Sequence, residues 1–550
     1  MLRPHLDHRE DSLGQCVTIK AAKQGHIRLS LSLTPVIETE VHQRLRAYMR
    51  EQGHAQWPHH LTMARLVARA LRVGRSALMQ MDSLAAYQGT YRLSYLMPAM
   101  LWPEPAVLAL PDHLLETVVR QDITNLQQRL PVIKPVQTGD SWPNEGFRGL
   151  LITSVQTWLR SRLSQSDAFP ANIPTLIDGA GDLERWVRQE MQTVLSTADW
   201  GVLALAYPAQ HELIRDMRAR ITHAIFQHPA NPYGCHLIED PEKALIEELL
   251  ALLEMHCDSA CLPKRWRSFW QQFQQTDRLA WSQLDRSSGT ISLCCGPTQI
   301  DRQLAPIWAQ QPVVLMGAAL DASKQANRYR ARLGLGDMTC LSFGPDRHND
   351  LIHLYLPDRL PMPNTSHFQP AAIKEVRSLI STKAVSERQP ESTVILTGDM
   401  PLKAQMATLL AAEFGSRVQV ESPIGPQGIL IAGWDYWHQR QAEFAVPDLL
   451  IITTLPIPSL ENPIVAGRVA SYKRRRQDWF KAYLLPEALS ELQHAVAPVR
   501  SRQGVVALLD NRVNHRSYGR QVLDALSPSA RSSQLNADWF EAAEVIAGHR

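Results

Sequence analysis

The sequence predicts an α/β protein of two parallel-sheet lobes, the first interrupted by an all-helical insertion. Three observations predict it. Short runs rich in Val, Ile and Leu recur between amphipathic stretches. Between Leu183 and about Ser287 the pattern changes to long helical periodicity. A Pro-rich segment, LPDRLPMPNTSHFQP at 356–370, has the composition of a linker. Apolar runs alternating with helices are strands buried on both faces, as parallel sheets require.

The first lobe takes the runs Ala106–Leu110, Leu150–Thr153, Thr175–Asp178 and Val313–Met316. The second takes Val394–Thr397, Ile429–Ala432, Leu449–Thr453 and Val505–Asp510. The insertion is typified by PEKALIEELLALLEM at 241–255, where the apolar positions recur at helical spacing and no buried strand is expected. The expected organisation is an N-terminal extension (1–55), the first lobe in two parts (56–185 and 288–345), the insertion (186–287), a linker (346–370) and the second lobe (371–550). A chain of 550 residues is too long for one core, so several domains are expected.

Hydrophobic content of 45% and charged content of 20% are those of a globular protein and exclude a disordered tail or a fibre. A net charge of +3 and a pI of about 8.4 leave nucleic acid open as a partner without demanding it. No run approaches the roughly 18 apolar residues of a membrane span, and the start, MLRPHLDHREDSLGQC, has no apolar core, so a cytoplasmic location is expected. Seven scattered cysteines predict reduced thiols rather than a disulfide framework. Cys257 and Cys261 lie one helical turn apart beside His256, but no further ligands are nearby and no metal site is expected. There is no G-x-S-x-G turn to present a hydrolase nucleophile. His59 and His60 read as a solvated helix face, and Trp266 and Trp270, at helical spacing, as core.

Three blocks near the C-terminus carry a resemblance: LPIPSLENPIVAGRV (455–469), WFKAYLLPEAL (479–489) and VVALLDNRVNHRSYGRQVLDALSP (505–528). In that order they resemble the LPF-x-x-P, aromatic-x-Y-x-x-P-x-A and LD-x-R…YG segments of the DinG/XPD helicases of superfamily 2. WPHHLTMARLVARAL (57–71) and LSYLMPAMLW (93–102) look like the helices flanking that family's phosphate loop. TLIDGAGDLE (175–184) resembles its acidic motif, PVVLMGAAL (312–320) its SAT motif and GWDYWHQRQ (433–441) its FWEG-x-D motif. The resemblance covers roughly residues 55–530 as a pattern. It implies two RecA-like motor lobes, an ATP–Mg²⁺ site between them and a nucleic-acid strand bound across both.

The residues that such a motor needs are missing. A phosphate loop uses glycines and free backbone N–H groups to cradle phosphates, a Lys to neutralise them and a hydroxyl for Mg²⁺. The matching stretch is AAYQGTYR (85–92), in which Gly89 is followed by Thr90, Tyr91 and Arg92 where the family has Gly, Lys and Ser or Thr. No Gly-Lys pair occurs anywhere in the chain. The acidic motif reads Asp178-Gly179-Ala180-Gly181, so the metal-side Asp is kept and the water-polarising Glu is glycine. The family's Q-x-x-G-R-x-x-R segment matches Gln493 to Arg500, with Ala497 in place of the first Arg and Arg500 at the second. An arginine finger is worth about 10³–10⁵ in rate. His438, Gln439 and Gln441 stand at the Glu, Gly and Asp positions of the fourth motif, and residues 90–180 contain no cysteine for the iron–sulfur cluster common in relatives.

The expected protein therefore binds nucleic acid, single-stranded or forked DNA, with ATP hydrolysis and unwinding lost and no cofactor. The candidates for strand contact are Lys473, Arg474, Arg475 and Arg476 with Arg500 and Arg502, and the aromatic residues Trp434, Tyr436, Trp437, Trp479 and Phe480. The basic run reads equally as a solvated helix face, and the aromatics compete with core packing. Two other readings stay open. One is an active ATP-dependent helicase with an atypical site built on Arg92, Asp178 and Arg500, and the other is a scaffold that binds a protein partner.

Overall fold

The computed structural model describes residues 36–52, 57–130, 134–255, 261–286, 288–347, 349–385 and 391–540. Two seven-stranded parallel sheets form the lobes. In the first, the strands lie in the order Thr339–Ser342, Ala77–Met81, Val313–Ala318, Thr175–Asp178, Ala106–Leu110, Leu150–Ser154 and Val136–Thr138. In the second, the order is Val418–Val420, Ile429–Ala432, Thr393–Leu396, Leu449–Ile452, Val505–Leu508, Ile352–Tyr355 and Ser529–Ser532. The central strands are buried at every position because helices cover both faces. These are two RecA-like α/β lobes.

The insertion departs from the all-helical expectation. Its helices Thr197–Ala206, His211–Gln227, Asp240–Glu254 and Lys264–Phe273 pack on a four-stranded antiparallel sheet of Thr193–Leu195, Thr290–Pro297, Arg278–Asp285 and Cys235–Leu237. The hairpin pairing Arg278 with Pro297 through Asp285 with Thr290 carries mixed polar and apolar side chains, so no continuous apolar run announces it. Cys294 and Cys295 lie on this hairpin, where burial pushes their thiols up to about 11 and about 12. Cys261 is disulfide-bonded, against the expectation of reduced thiols. His256 and Cys257 lie outside the described residues.

Two boundaries also move. Ile352–Tyr355, inside the expected linker, is an inner strand of the second sheet, between Val505–Leu508 and Ser529–Ser532. The helix Ile37–Gln52, inside the expected extension, buries Val41 and Leu45 against the helix His60–Val73 in the first lobe's core. Residues 1–35 lie outside the described ones. His60 is buried rather than solvated, with Nδ1 2.8 Å from Ser94 Oγ, and burial lowers its pKa to about 4. Among the described residues no helix is long and apolar enough to cross a membrane.

Candidate functional site

In a parallel sheet the carboxyl ends of the strands line up on one edge, and here that edge brings together Asp82, Asp178 and Ala318. From Met81 the chain enters a helix at once. Asp82 caps it, its carboxylate accepting from Ala85 N at 2.7 Å, and the helix Ser83–Gln88 ends at Gly89 in the left-handed region (φ 67°). The Gly89 N–H donates to the Ala85 and Ala86 carbonyls, and Arg92 N donates to Gly89 O at 3.1 Å. Backbone N–H groups that a phosphate loop would leave pointing at its ligand are thus spent on a helix end and the 3₁₀ turn Thr90–Arg92.

The side chains complete the replacement. Tyr91 and Tyr95, four residues apart across the start of the helix Leu93–Leu101, present their hydroxyls on one face. The Tyr91 hydroxyl donates to Asp178 Oδ1, and the Tyr95 hydroxyl to Oδ2 at 2.8 Å. Gly179 N adds a third bond to Oδ1 at 2.7 Å. All three side chains are buried, Asp178 and Tyr95 at 0% exposure. Burial raises the Asp178 pKa, opposed by the two phenols, and the tyrosine pKa values are pushed well above the usual range. The Tyr91 ring is walled by Trp57 at 6.4 Å and Tyr95 at 5.9 Å between centroids. Arg92 folds back over Gly89 and pairs with Asp122 at 3.2 Å.

The glycines of the acidic motif have packing reasons. Gly179 has φ 76°, and a Cβ there would lie 2.8 Å from both Pro111 Cγ and Trp186 Cη2. A side chain at Gly181 would meet the Ala318 carbonyl at 3.0 Å, and one at Gly317 would meet Gly181 N at 2.8 Å. The acidic motif and the MGAAL segment therefore touch backbone to backbone.

Several expected site residues lie elsewhere. Arg500 is 3% exposed, and its guanidinium donates to the carbonyls of Leu526 (2.6 Å), Asp350 (2.8 Å), Pro528 (3.1 Å) and Ser527 (3.4 Å). It holds a chain crossing inside the second lobe, so it does not face the cleft. Burial lowers its pKa to about 10. Trp437 is fully buried, with Nε1 donating to Ala495 O at 3.2 Å, so it is core and not a stacking platform. Ala497 is buried and Gln493 donates to Ala525 O at 3.3 Å, both on the helix Leu485–Arg500. Arg502 is ion-paired with Glu391. Trp434 and Tyr436 pack against the second lobe's core, with the Arg440 guanidinium over the Tyr436 ring.

The basic run is on the surface. Lys473, Arg474 and Arg476 are exposed at the end of the helix Pro463–Arg474. Lys473 Nζ sits 5.6 Å from the Trp479 ring and Arg475 4.7 Å from that of Tyr472. Phe480 packs on Tyr518 at 5.2 Å. The result is a ridge of cations backed by aromatic rings, chemistry that suits phosphates and bases.

The lobes themselves are joined across the cleft. The helix Ser83–Gln88, at the phosphate-loop position, packs against the helix Leu485–Arg500 of the second lobe. His438 bridges the lobes, its Nε2 3.2 Å from Asp182 Oδ1 of the first and its Nδ1 2.9 Å from Glu491 Oε2 of the second. Burial lowers the His438 pKa, but the two carboxylates outweigh it and raise the value to about 9. Below it lies the His494 ring, stacked at 4.2 Å, whose own pKa is lowered by burial and by the His438 charge. A second bridge runs from Arg332 to Glu184 (3.3 Å) within the first lobe and Glu487 (3.8 Å) in the second. Burial would raise the Glu184 pKa, but Arg332 and Arg188 bring it down to about 2. Sequence reading missed Tyr95, Asp182, Glu184 and Arg332. Only the Tyr91–Tyr95 spacing carried a local signal.

Fold and site define a two-lobed RecA-like protein whose strand-end aspartate is held by two phenols. The Helicase C-terminal domain family matches residues 446–529. Among curated proteins, ATP-dependent DNA helicase YoaA of Haemophilus influenzae is 28% identical over 138 residues, 24% of this chain and 22% of that protein. The 3'-5' exonuclease DinG of Bacillus subtilis is 24% identical over 301 residues, covering 50% and 32%. YoaA of Escherichia coli is 22% identical over 302 residues, covering 52% and 46%. The matched stretches thus span less than half of each relative's length. Among solved structures, an XPD helicase superposes with a TM-score of 0.58 at 10% identity over 87% of this chain and 100% of that one. The Xpd4 structure of S. tokodaii gives 0.56 at 11% over 86% and 100%. The chain belongs to the DinG/XPD-type helicase family.

Proposed function

We propose that this chain is a cytoplasmic, nucleic-acid-binding member of its family that neither hydrolyses ATP nor unwinds, and that it acts as an accessory factor on single-stranded or forked DNA. One observation carries the reading: both carboxylate oxygens of Asp178 accept tyrosine hydroxyls that come from the phosphate-loop position. An aspartate that holds Mg²⁺ needs those oxygens free, and an NTP needs the N–H groups now spent at Gly89 and Arg92. The residues present do not fit an ATP–Mg²⁺ complex, and no step is derived through one. Gly89, Thr90, Tyr91, Arg92, Asp178, Gly179, Gly181, Gln493 and Ala497 are then the vestige of a nucleotide site. The strand contact falls to Lys473, Arg474, Arg475 and Arg476 with the flanking aromatics. No iron–sulfur cluster belongs to this reading, since residues 90–180 hold no cysteine.

The test is phosphate release by the purified chain with and without single-stranded DNA, paired with oligonucleotide binding over a salt series. Binding without release supports the proposal, with a salt slope rising by about 0.7 for each phosphate neutralised. DNA-stimulated release that Asp178→Ala abolishes overturns it in favour of an active motor. A scaffold reading is favoured by one feature, the helix Thr197–Ala206, which leaves Leu205 81% and Val202 49% exposed on the insertion. The absence of any oligonucleotide shift at low salt would select it.

A further inference from the structure

A cavity of about 940 Å³ lies where the insertion meets the first lobe, between the end of the helix Val155–Leu163, the loop after it and the helices Lys264–Phe273 and Asp301–Gln310. That helix starts from Ser154 at the strand-end edge that carries Asp178, so its far end opens on the opposite edge of the sheet. The cavity is therefore separate from the lobe cleft.

Its wall holds buried polar atoms with no partner in the chain. The Arg278 side chain is 10% exposed; its Nε donates to Gln275 Oε1 at 2.9 Å, while its Nη1 makes no hydrogen bond. Arg162 donates both terminal nitrogens to the carbonyls of Phe169 and Pro170, and its Nε is unpaired. Gln272 Oε1 and Gln303 Oε1 are buried acceptors without a donor. Buried donors and acceptors cost about 1–3 kcal/mol each when unpaired, so four on one wall mark a place built to be filled by a polar molecule. Two guanidinium N–H groups select an oxyanion. Two amide oxygens select hydroxyl or amine donors on the same molecule, and the space exceeds what a free inorganic ion needs. Of the acids on the wall, Glu190 is held by Arg160 through two bonds of 3.0 Å, and Asp167 is exposed.

We propose that this cavity binds a small phosphate ester bearing hydroxyl groups, a sugar phosphate or a nucleotide, with the phosphate on Arg278 and Arg162 and the hydroxyls on Gln272 and Gln303. The site is independent of the nucleic-acid reading above. The test is calorimetric titration of the full chain with inorganic phosphate, ribose 5-phosphate and AMP in turn. The expected result is saturable binding of ribose 5-phosphate or AMP, at least about tenfold tighter than inorganic phosphate. Which of the two binds tighter says whether the base is read. Arg278→Met should weaken it by about tenfold or more, and so should Gln303→Glu, which keeps Arg278 and places a like charge beside the phosphate. Binding that survives both variants, inorganic phosphate bound as tightly as the esters, or no binding of any probe up to about 10 mM would overturn the proposal.

Discussion

The hydroxyl of Tyr95 lies 2.8 Å from Asp178 Oδ2, at the strand end where relatives of this fold hold a metal ion. Tyr91 takes the other oxygen, and both rings belong to the segment that replaced the phosphate loop. The two losses are thus one construction: the residues that displaced the nucleotide also satisfy the aspartate it leaves behind.

Tyr95→Phe leaves Asp178 Oδ2 buried without a donor, which costs about 1–3 kcal/mol. The thermal midpoint should fall accordingly, with oligonucleotide affinity unchanged. A midpoint equal to that of the parent chain would show the bond to be dispensable.

Restoring the family glutamate should fail. Gly179→Glu, or even Gly179→Ala, places a Cβ 2.8 Å from Pro111 and Trp186 on a backbone with φ 76°. The left-handed conformation costs about 1–2 kcal/mol and the overpacking about 1–3 kcal/mol more. Chemical denaturation should report a loss in that range, and phosphate release should stay at background.

The His438 bridge makes the closed arrangement pH-dependent. Its folded pKa of about 9 exceeds the ordinary 6.5, so the protonated ring stabilises the fold fully below pH 6.5, and this is lost as pH rises through 9. The bridge holds Asp182, itself paired with Arg185 at 2.8 Å, and Glu491, with His494 stacked beneath. The full effect is on the order of 3 kcal/mol. Thermal midpoints of the parent chain should drop between pH 6.5 and 9, and His438→Gln should flatten that slope.

Arg500→Met tests a structural arginine against a catalytic one. It removes a buried guanidinium from four carbonyls, and we expect a loss of about 2–5 kcal/mol in unfolding free energy. A cleft-facing finger would be replaceable without such a loss.

Arg474→Ala with Arg476→Ala should weaken oligonucleotide binding and lower the logarithmic salt slope by about 0.7 for each lost phosphate contact. Both residues are exposed, so stability should change by less than about 0.5 kcal/mol. An unchanged slope would remove this ridge from the strand path.

The sequence by itself determined the two parallel-sheet lobes, because strands such as Ala106–Leu110 and Leu449–Ile452 are apolar at every position and need no distant partner to be recognised. It likewise determined that Lys, hydroxyl and Glu are missing from the nucleotide motifs, which is a matter of residue identity. Tertiary structure decided what stands in their place. His438 meets Asp182 from 256 positions away, and Tyr95 meets Asp178 from 83. Arg500 reads as a site residue in the chain and is a buried strut in the fold, while the insertion's hairpin, with one mixed face, escaped any local pattern. Local periodicity records which face of an element is buried; which polar groups satisfy one another in the interior depends on distances that no stretch of sequence contains.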